Sequence, residues 1–284
     1  MEGPVSNHIG IIGGSGVYDV SKIEIVKEHK MSTPWGDPSD LIIEGQLEGT
    51  KFFFLPRHGK THRLTPSEIN YRANIFALKS LGVRYLISIS ACGSLREEFP
   101  PTHFVLPQQF MDFTKGLRAR SFFGGGVVGH VPTDSAINIE LAGLISSACE
   151  SLDIPHHNGG TYLGIEGPQF SSKAESLFYR SIGADIIGMT NLPEAYLAKE
   201  AGMAYSTVGM VTDYDCWKSS MYSLDEVLKF MRENNKKAQK LILKVIKKLA
   251  KNPVEYTTEN KHSVLTPKEH WTKKQKSYLE VLLG

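Results

Sequence analysis

The amino-acid sequence predicts an α/β fold, built as a single domain with helices packed around a central sheet. Short apolar runs alternate with amphipathic helical patterns along the chain, which is typical of this class. No internal repeat, low-complexity linker or change of composition divides the 284 residues. The chain is 41% hydrophobic and 22% charged, as is ordinary for a globular protein with a sizeable core. We therefore expect one domain over residues 1–284.

Apolar runs that end in polar or glycine-rich residues predict the strands of the sheet. In chain order they are residues 9–12, 52–59 and 85–94, followed by the runs "HFVLPQQF", "GTYLGIEGPQF", "ADIIGMT" and "YSTVGMVT". In sheets of this kind, ligands bind where the carboxyl ends of the strands meet. The loops that follow these runs are therefore the expected place for a functional site.

Three amphipathic patterns predict helices between and after these strands. Residues 134–152 place apolar side chains on one face, with Asp134 or Ser135 available as the N-cap. The segment "LPEAYLAKEAG" carries Pro193 near its first helical position and ends at a glycine. A long helix is predicted over residues 223–252, acidic at its start and lysine-rich at its end. These lysines are typical of a solvated helix face, which we favour over a nucleic-acid surface.

Charge, cysteine content and hydropathy exclude several classes of protein. A formal net charge of +2 is too small to indicate nucleic acid or an anionic membrane as a partner. The three cysteines form no CxxC pair, which indicates reduced thiols in the cytosol rather than a disulfide framework. The first residues lack a signal-peptide pattern, and no run of about 18 apolar residues is present. We therefore expect a cytoplasmic protein, with the nucleus as the alternative, and no nucleic-acid or membrane partner.

The segment "GGSG", residues 13–16, is the first of several loops suited to binding an anion. Its glycines let backbone N–H groups converge on a negative charge, and Ser15 adds a hydroxyl donor. The segment fits neither the GxGxxG nor the P-loop pattern, so a tight turn without a ligand is the alternative.

Further polar side chains at strand ends extend this interpretation. Arg57 and His58 follow a buried strand, and the fork of an arginine matches phosphate, although a surface arginine is the alternative. Ser90 and Thr190 place hydroxyl groups at a strand end and at a helix N-terminus. His58 and His62 are four residues apart, but their segment lacks a helical pattern, so we expect no metal site. Together these groups predict one oxyanion site, provided that the fold brings them together.

The segment "IEGPQFSS" places Phe170 shortly after a Gly-Pro pair, which we expect to hold its ring rigidly near the mouth of the site. The ring would then stack on a flat ligand. A place in the core is the alternative that the residue type favours. The exposure of the ring in the folded chain decides between the two.

Two aspartates, Asp213 and Asp215, end the apolar run that begins at Tyr205. Residues i and i+2 of an extended segment point to the same side, so both carboxylates face one target. Neighbouring carboxylates do not ionise independently, and such a pair offers one protonated acid and one ionised acceptor. An adenine edge needs that combination, because N7 accepts a proton while the N6 amino group donates one. An acidic surface turn or a pair of Ca²⁺ or Mg²⁺ ligands is the alternative, which the apolar flanks disfavour.

Eight segments of the chain form a distinctive set in this order: "IGIIGGSG", "TPWGDPSD", "LPRHG", "NYRANIFALK", "SACGSLREE", "IEGPQFSSKAES", "MTNLPEAYLAKEAG" and "TDYDCW". This set closely resembles the 5′-methylthioadenosine phosphorylase branch of the trimeric purine nucleoside phosphorylase family. The resemblance implies a nucleoside phosphorylase fold with a mixed, partly barrel-like sheet, a homotrimer, no cofactor and no metal. It also implies phosphorolysis of 5′-methylthioadenosine to adenine and 5-methylthioribose 1-phosphate, with inorganic phosphate as co-substrate and adenosine as a poorer substrate.

The resemblance further implies a role for individual residues. The phosphate-binding positions are Ser15, Arg57, His58, Ser90, Ala91 and Thr190. Phe170 corresponds to the residue that packs against the purine, and Met189 to the one under the ribose. Asp213 corresponds to the residue that interacts with N7 and Asp215 to the one that recognises N6, and these two form the catalytic pair.

The same resemblance implies a pocket for the 5′-methylthio group at the start of the long helix. Its positions are Leu224, Val227, Leu228 and, from a neighbouring subunit, His130. A leucine near Leu282 is expected to add to it. Animal relatives usually carry Thr where Ser15 and Ser90 stand and Asn where Gly188 stands. These departures bear on the tightness of the phosphate and 5′ pockets rather than on the reaction class.

Several other functions are alternatives. A purine nucleoside phosphorylase of broader specificity would accept both adenosine and 6-oxopurine nucleosides. A nucleosidase would use water in place of phosphate, which the anion-binding loops argue against. A non-catalytic sensor would bind adenine nucleosides without turnover. A dinucleotide-dependent oxidoreductase would need a GxGxxG fingerprint, which the chain lacks.

Overall fold

The computed structural model describes residues 8–17, 24–218, 222–256, 258 and 260–284. Within these ranges the strands are β1 (His8–Gly13), β2 (Glu24–His29), β3 (Ile42–Leu47), β4 (Thr50–Pro56), β5 (Val83–Ser94), β6 (Phe104–Leu106), β7 (Gln109–Phe113), β8 (His156–Asn158), β9 (Thr161–Ile165), β10 (Ile186–Gly188) and β11 (Ala204–Tyr214). The helices are α1 (Tyr71–Ser80), α2 (Ile139–Glu150), α3 (Lys173–Ser181), α4 (Asn191–Glu200), α5 (Leu224–Lys251) and α6 (Lys273–Leu283).

The predicted strands are present, with one division and several shifted ends. The run "HFVLPQQF" forms two strands, β6 and β7, because Pro107 between them has no N–H for a sheet hydrogen bond. The run at residues 52–59 leaves the sheet at Pro56, so Arg57 and His58 begin the turn that follows β4. Strand β5 begins at Val83, two residues before the predicted run, and ends with it at Ser94.

Two of the helix predictions have different outcomes. Helix α2 begins at Ile139, because Asn138 caps it by accepting a hydrogen bond from the Leu141 N–H at 2.7 Å. The prediction of a start at residue 134, capped by Asp134 or Ser135, is therefore wrong. The long helix is confirmed as α5, capped by Ser223 in a capping box. None of the helices in the described ranges has the length and apolar character needed to cross a membrane.

Strand β5 is the centre of the sheet. It pairs with β1 and β11 in parallel and, near its carboxyl end, with β10 in antiparallel orientation. One branch continues from β1 through β4 and β3 to β2, another from β10 through β9 to β7, and a third from β11 through β6 to β8. The predicted mixed sheet is thus confirmed. The described strands fork at β5, and their pairings form no closed ring.

The parallel pairing of β1, β4, β5 and β11 places their carboxyl ends at one edge of the sheet. The segments that follow these ends are the "GGSG" loop, the Arg57 turn, the end of β5 and the aspartate pair. Ligands bind at this edge in α/β sheets. The topology therefore gathers the polar segments that the sequence pointed to.

The C-terminal segment, residues 260–284, packs back onto the rest of the chain. Leu282 of α6 is fully buried in a core cluster that also contains α1 residues and the partly buried Trp35. The expectation that a leucine near Leu282 lines the 5′ pocket is therefore wrong for Leu282, because its side chain fills the core. Farther up the segment, Ser263 O accepts from the His130 N–H at 2.8 Å, and Val128 O accepts from the Leu265 N–H at 2.8 Å.

We predict that Leu282→Ala lowers the free energy of unfolding by about 2–5 kcal/mol, because it leaves a cavity in the core. The matched control is Leu265→Ala in the same segment, where the side chain is 64% exposed. This control should change stability by no more than about 0.5 kcal/mol. Urea unfolding followed by circular dichroism measures both values. Equal losses in the two variants would contradict the placement of α6.

Candidate active site

A buried ion pair between Arg57 and Glu194 lies at the ends of the parallel strands. Arg57 is 1% exposed, and its Nε and Nη2 donate to the two carboxylate oxygens of Glu194 at 2.7 and 3.0 Å. Its Nη1 also donates to Ile89 O at 3.0 Å and its Nη2 to Ser88 Oγ at 2.6 Å. Burial opposes the charge of Arg57, but Glu194 outweighs it and raises the arginine pKa. The guanidinium is thus held by acceptors from β5 and α4.

The ion pair continues into a buried polar network that reaches Ser90. Glu194 Oε1 accepts from the Tyr205 hydroxyl at 3.1 Å, and that hydroxyl oxygen accepts from Asn191 Nδ2 at 2.7 Å. The other end of the Asn191 amide, Oδ1, accepts from Ser90 Oγ at 2.9 Å. The sequence placed Asn191 beside Thr190 at a helix N-terminus but did not point to Glu194 or Tyr205 as parts of the site. Glu194 looked like an ordinary acid in the first turn of a helix, where the dipole favours it.

The backbone at the "GGSG" loop and the start of α4 completes this side of the site. Gly13 O accepts from the Arg57 N–H at 2.9 Å, which ties the loop to the Arg57 turn. Ser15 opens a one-turn 3₁₀ helix, but its side chain lies outside the described part of the structure. Ala91 is exposed on β5, and Thr190 is the N-cap residue of α4 without using its side chain as the cap.

His58 is held as a neutral imidazole beside Arg57. Its Nδ1 lies 2.8 Å from Leu64 O, and its ring stacks on that of His62 at a centroid distance of 4.4 Å. Burial lowers the His58 pKa to about 4, aided by the charges of Arg57 and His62. Because a carbonyl oxygen only accepts, Nδ1 carries the proton and Nε2 is left as an acceptor. Within the described ranges, no group of three or more His, Cys, Asp or Glu residues is placed to hold a metal ion.

The two aspartates converge on Gly93 at the end of β5. A Cβ atom placed on Gly93 would lie 3.5 Å from Asp213 Oδ2 and 3.5 Å from Asp215 Cβ. Asp215 is 5% exposed, and its Oδ2 has no hydrogen-bond partner among the described residues. Both aspartates thus approach the same residue, as the prediction of a common target for the pair requires. A side chain at position 93 would crowd that target.

Burial raises the pKa of both carboxyl groups. At Asp213, the Thr212 hydroxyl partly offsets this effect, and the charge of Asp215 adds to it. At Asp215, the Ser176 and Ser171 hydroxyls and a backbone N–H favour the ionised form. The charge of Glu175 also raises the Asp215 pKa, and burial is the largest effect at both carboxyl groups. In a neighbouring pair of this kind, one carboxyl group can hold a proton while the other is ionised.

Phe170 and Met189 differ in how deeply their side chains are buried. Phe170 is 79% exposed, so the alternative of a place in the core is wrong and the ring is accessible to a ligand. Met189 is half-buried and packs in a cluster with Leu163 and Ile187. A Cβ atom on Gly167 would lie 2.4 Å from Met189 Sδ, so this glycine makes room for the methionine.

Arg118, which the sequence did not point to, fixes the backbone around Met189. Its Nη1 donates to Met189 O and to Leu192 O, each at 2.6 Å. Its Nε donates to Glu166 Oε1 at 2.9 Å, and both side chains are buried. A pattern in sequence could not reveal this contact, because Arg118 lies in a loop with no periodicity. The segment before Phe170 and the start of α4 are thereby tied to one guanidinium.

The positions expected for a 5′-methylthio pocket lie at the start of α5 and in a separate loop. Val227 is half-buried and Leu228 is exposed, while the side chain of Leu224 lies outside the described residues. His130 is exposed, in the loop that the C-terminal segment binds. The exposed side chains of Leu228 and His130 are accessible to a ligand or to another subunit.

Strand β5 carries residues at both ends of the site. Ser90, beside the polar network, and Gly93, beside the aspartates, are three residues apart on it. At about 3.3 Å per residue the two ends of the site are about 10 Å apart. An anion-binding end and a purine-edge end therefore lie on one strand, with Met189 and Phe170 in the segments that adjoin it.

The model of the family described as "Phosphorylase superfamily" matches residues 8–247 of the chain. The chain belongs to this superfamily. Its resemblance to nucleoside phosphorylases and the predicted fold are both confirmed by solved structures. A methylthioadenosine phosphorylase sourced from an antarctic soil metagenomic library superposes with a TM-score of 0.94 at 43% identity, covering 99% of this chain and 100% of that chain.

Two further relatives match nearly the whole length of this chain. The S-methyl-5′-thioadenosine phosphorylase of Geobacter sulfurreducens is 41% identical over 279 residues, which cover 97% of this chain and 98% of that protein. A mutant of the adenosine/methylthioadenosine phosphorylase of Schistosoma mansoni, solved in complex with methylthioadenosine, has a TM-score of 0.83 at 32% identity. It covers 98% of both chains.

We predict that Glu194→Gln lowers the free energy of unfolding by about 3–5 kcal/mol, because it leaves the buried Arg57 charge unpaired. The matched control is Glu28→Gln, which breaks the exposed pair between Glu28 and Lys60. This control should cost no more than about 1 kcal/mol. Denaturant unfolding measures both changes. Similar losses of stability in the two variants would contradict the prediction that the buried Arg57 charge requires Glu194 as its partner.

Proposed function

We propose that this protein phosphorolyses 5′-methylthioadenosine to adenine and 5-methylthioribose 1-phosphate. The observation that carries the proposal is the convergence of Asp213 and Asp215 on Gly93, three residues along β5 from Ser90. The relatives support the same substrate, since those named S-methyl-5′-thioadenosine phosphorylase match nearly the whole chain. Phosphate attacks the anomeric carbon while the glycosidic bond breaks through an oxocarbenium-like state, and the bond electrons leave with the base.

The aspartate pair recognises the adenine and activates it as a leaving group. Asp213, as the protonated acid, donates to N7 as negative charge develops on the leaving base, a contribution of about 10²–10⁴-fold. Asp215, ionised and with a free Oδ2, accepts from the N6 amino group. A 6-oxopurine would turn a carbonyl oxygen toward that carboxylate and be repelled. The burial of both carboxyl groups, which raises their pKa, supports a protonated acid in the pair.

The strand ends at the other side of the site hold the phosphate. The groups in this role are Ser15, Arg57, His58, Ser90, Ala91 and Thr190. Thr190 sits at the N-terminus of α4, where free N–H groups and the helix dipole favour an anion. His58 offers Nε2 as an acceptor for a phosphate proton. Arg57 acts mainly by position in our proposal, since its guanidinium is held by Glu194 and by β5.

The nucleoside lies between these two ends. Met189 supports the ribose, and Phe170 covers the purine face. The 5′-methylthio group meets Leu224, Val227 and Leu228, whose apolar character disfavours a 5′-hydroxyl by about 1–3 kcal/mol. Adenosine is therefore a poorer substrate in this proposal, and the relative named for both adenosine and methylthioadenosine supports only that adenosine is accepted. The reaction uses phosphate as co-substrate and no cofactor.

A homotrimer completes the site in this proposal. Several large apolar side chains are exposed on the surface, which suits contact with another copy of the chain. They include Phe113, Leu117, Phe170, Leu177 and Phe178. Another subunit would cover Phe170 and supply His130 to the 5′ pocket. The protein works in the cytoplasm, where its nucleoside and phosphate are dissolved, without a nucleic-acid or membrane partner.

The proposal is tested by adenine release from 5′-methylthioadenosine with and without inorganic phosphate. We expect release that depends on phosphate and yields a sugar 1-phosphate. Equal release without phosphate would show a nucleosidase instead. Binding without release would show a sensor. Adenosine, assayed in parallel, should give a lower kcat/KM.

We predict that Asp215→Asn allows release of hypoxanthine from inosine, because an amide donates to O6 where the carboxylate repels it. The kcat/KM for 5′-methylthioadenosine should fall by about 10-fold or more in the same variant, through loss of the charged acceptor for N6. Steady-state assays with the two nucleosides measure both changes. The matched control is Glu97→Gln, an exposed carboxylate outside the pair. Unchanged rejection of inosine by Asp215→Asn would contradict the N6 role.

A further inference from the structure

Helix α5 touches the site through two adjacent residues that have no role in the function proposed above. The first is Asn234, which is 0% exposed. Its Nδ2 donates to Val211 O at 2.8 Å, while its Oδ1 has no partner among the described residues. The same Val211 carbonyl accepts from the Thr102 N–H at 2.9 Å. Asn234 therefore adds a second support to β11 immediately before the aspartates.

The support falls at an irregularity in the pairing of β11 with β5. Val211 pairs with Cys92 and Asp213 with Gly93, so Thr212 is the extra residue of a bulge. A bulge interrupts the ladder and re-aims the side chains that follow it. The Thr212 hydroxyl donates to Asp213 Oδ1 at 2.7 Å. The position of this bulge thus decides where Asp213 points.

The second residue is Asn235, which lies against the "GGSG" loop. A Cβ atom on Gly16 would lie 2.3 Å from Asn235 Nδ2. One turn later, Gln239 Nε2 donates to Gly16 O at 3.3 Å. The amide of Asn235 fills the space that any side chain at position 16 would need. The loop therefore rests on α5 as well as on the strands.

We propose that Asn234 and Asn235 are positioning residues through which α5 sets the places of Asp213 and the phosphate loop together. The proposal rests on the function proposed above, which gives Asp213 and the loop their roles. Helix α5 starts at the expected 5′ pocket and runs without interruption from Leu224 to Lys251. A single helix therefore joins the 5′, phosphate and purine ends of the site.

The phosphate side is tested with Gly16→Ala, Asn235→Ala and the double variant. Gly16→Ala adds a methyl group against the Asn235 amide, which displaces the loop. A displacement of about 1 Å can cost about 10²-fold in activity, so we expect the KM for phosphate to rise at least about 10-fold. Asn235→Ala alone removes this contact and should also raise the KM for phosphate. In the double variant the new methyl group takes the space of the lost amide, which should return this KM to within about threefold of wild type. A double variant as impaired as Gly16→Ala would overturn the proposal.

The purine side is tested with Asn234→Asp, which keeps the shape but turns an acceptor toward Val211 O. We expect kcat to fall at least about 10-fold with the KM for phosphate nearly unchanged, because only the aim of Asp213 is lost. Lys236→Gln, on the exposed face of the same helix, should behave as wild type. If Asn234→Asp does not fold, the smaller Asn234→Ser is expected to show the same fall in kcat. A lower Tm with an unchanged kcat would overturn the proposal.

Asp213→Ala separates the two proposals. Full phosphorolysis in this variant would overturn the function proposed for the site. Loss of phosphorolysis in Asp213→Ala, combined with normal kinetics in Gly16→Ala and in the Asn234 variants, would overturn only the positioning role of α5.

Discussion

The buried ion pair between Arg57 and Glu194 is the interaction on which the geometry of the site depends. Burying two charges is unfavourable unless they meet in good geometry and their remaining donors and acceptors are satisfied. Here the contact is bidentate, and Ser88, Ile89 and Tyr205 take up further hydrogen bonds. The pair joins the end of β4, the middle of β5 and the start of α4. These three places carry most of the groups that meet phosphate in the proposed function.

Much of the fold was predictable because each strand is a short apolar run with a polar end. The same rule found most of the site, since parallel strands bring their carboxyl ends to one edge. The rule does not predict contacts between segments that are far apart in the chain. Arg57 was recognised as a fork of donors, but its partner is 137 positions away in the chain. Nothing local distinguishes Glu194 from an acid that complements a helix dipole.

The aspartate pair shows what a local rule can and cannot provide. The i, i+2 rule predicted that Asp213 and Asp215 face one target, and both do approach Gly93, although a bulge interrupts the strand just before them. The difference between the two carboxyl groups comes from Thr212, Ser171 and Ser176, which no spacing identifies as neighbours. The exposure of Phe170 excludes a place in the core, but no local pattern decides what covers its ring.

The attachment of the C-terminal segment to the loop of His130 has a consequence for the assembled protein. Ser263 and Leu265 hold the backbone of that loop, while Leu282 anchors the segment in the core of its own subunit. In the trimer that we propose, the loop serves a neighbour. Damage to the tail of one subunit would then appear as a defect in the active site of another. In such a trimer, mixing tail-damaged chains with site-damaged chains would restore activity by complementation, because an intact site would receive its loop from a chain with an intact tail.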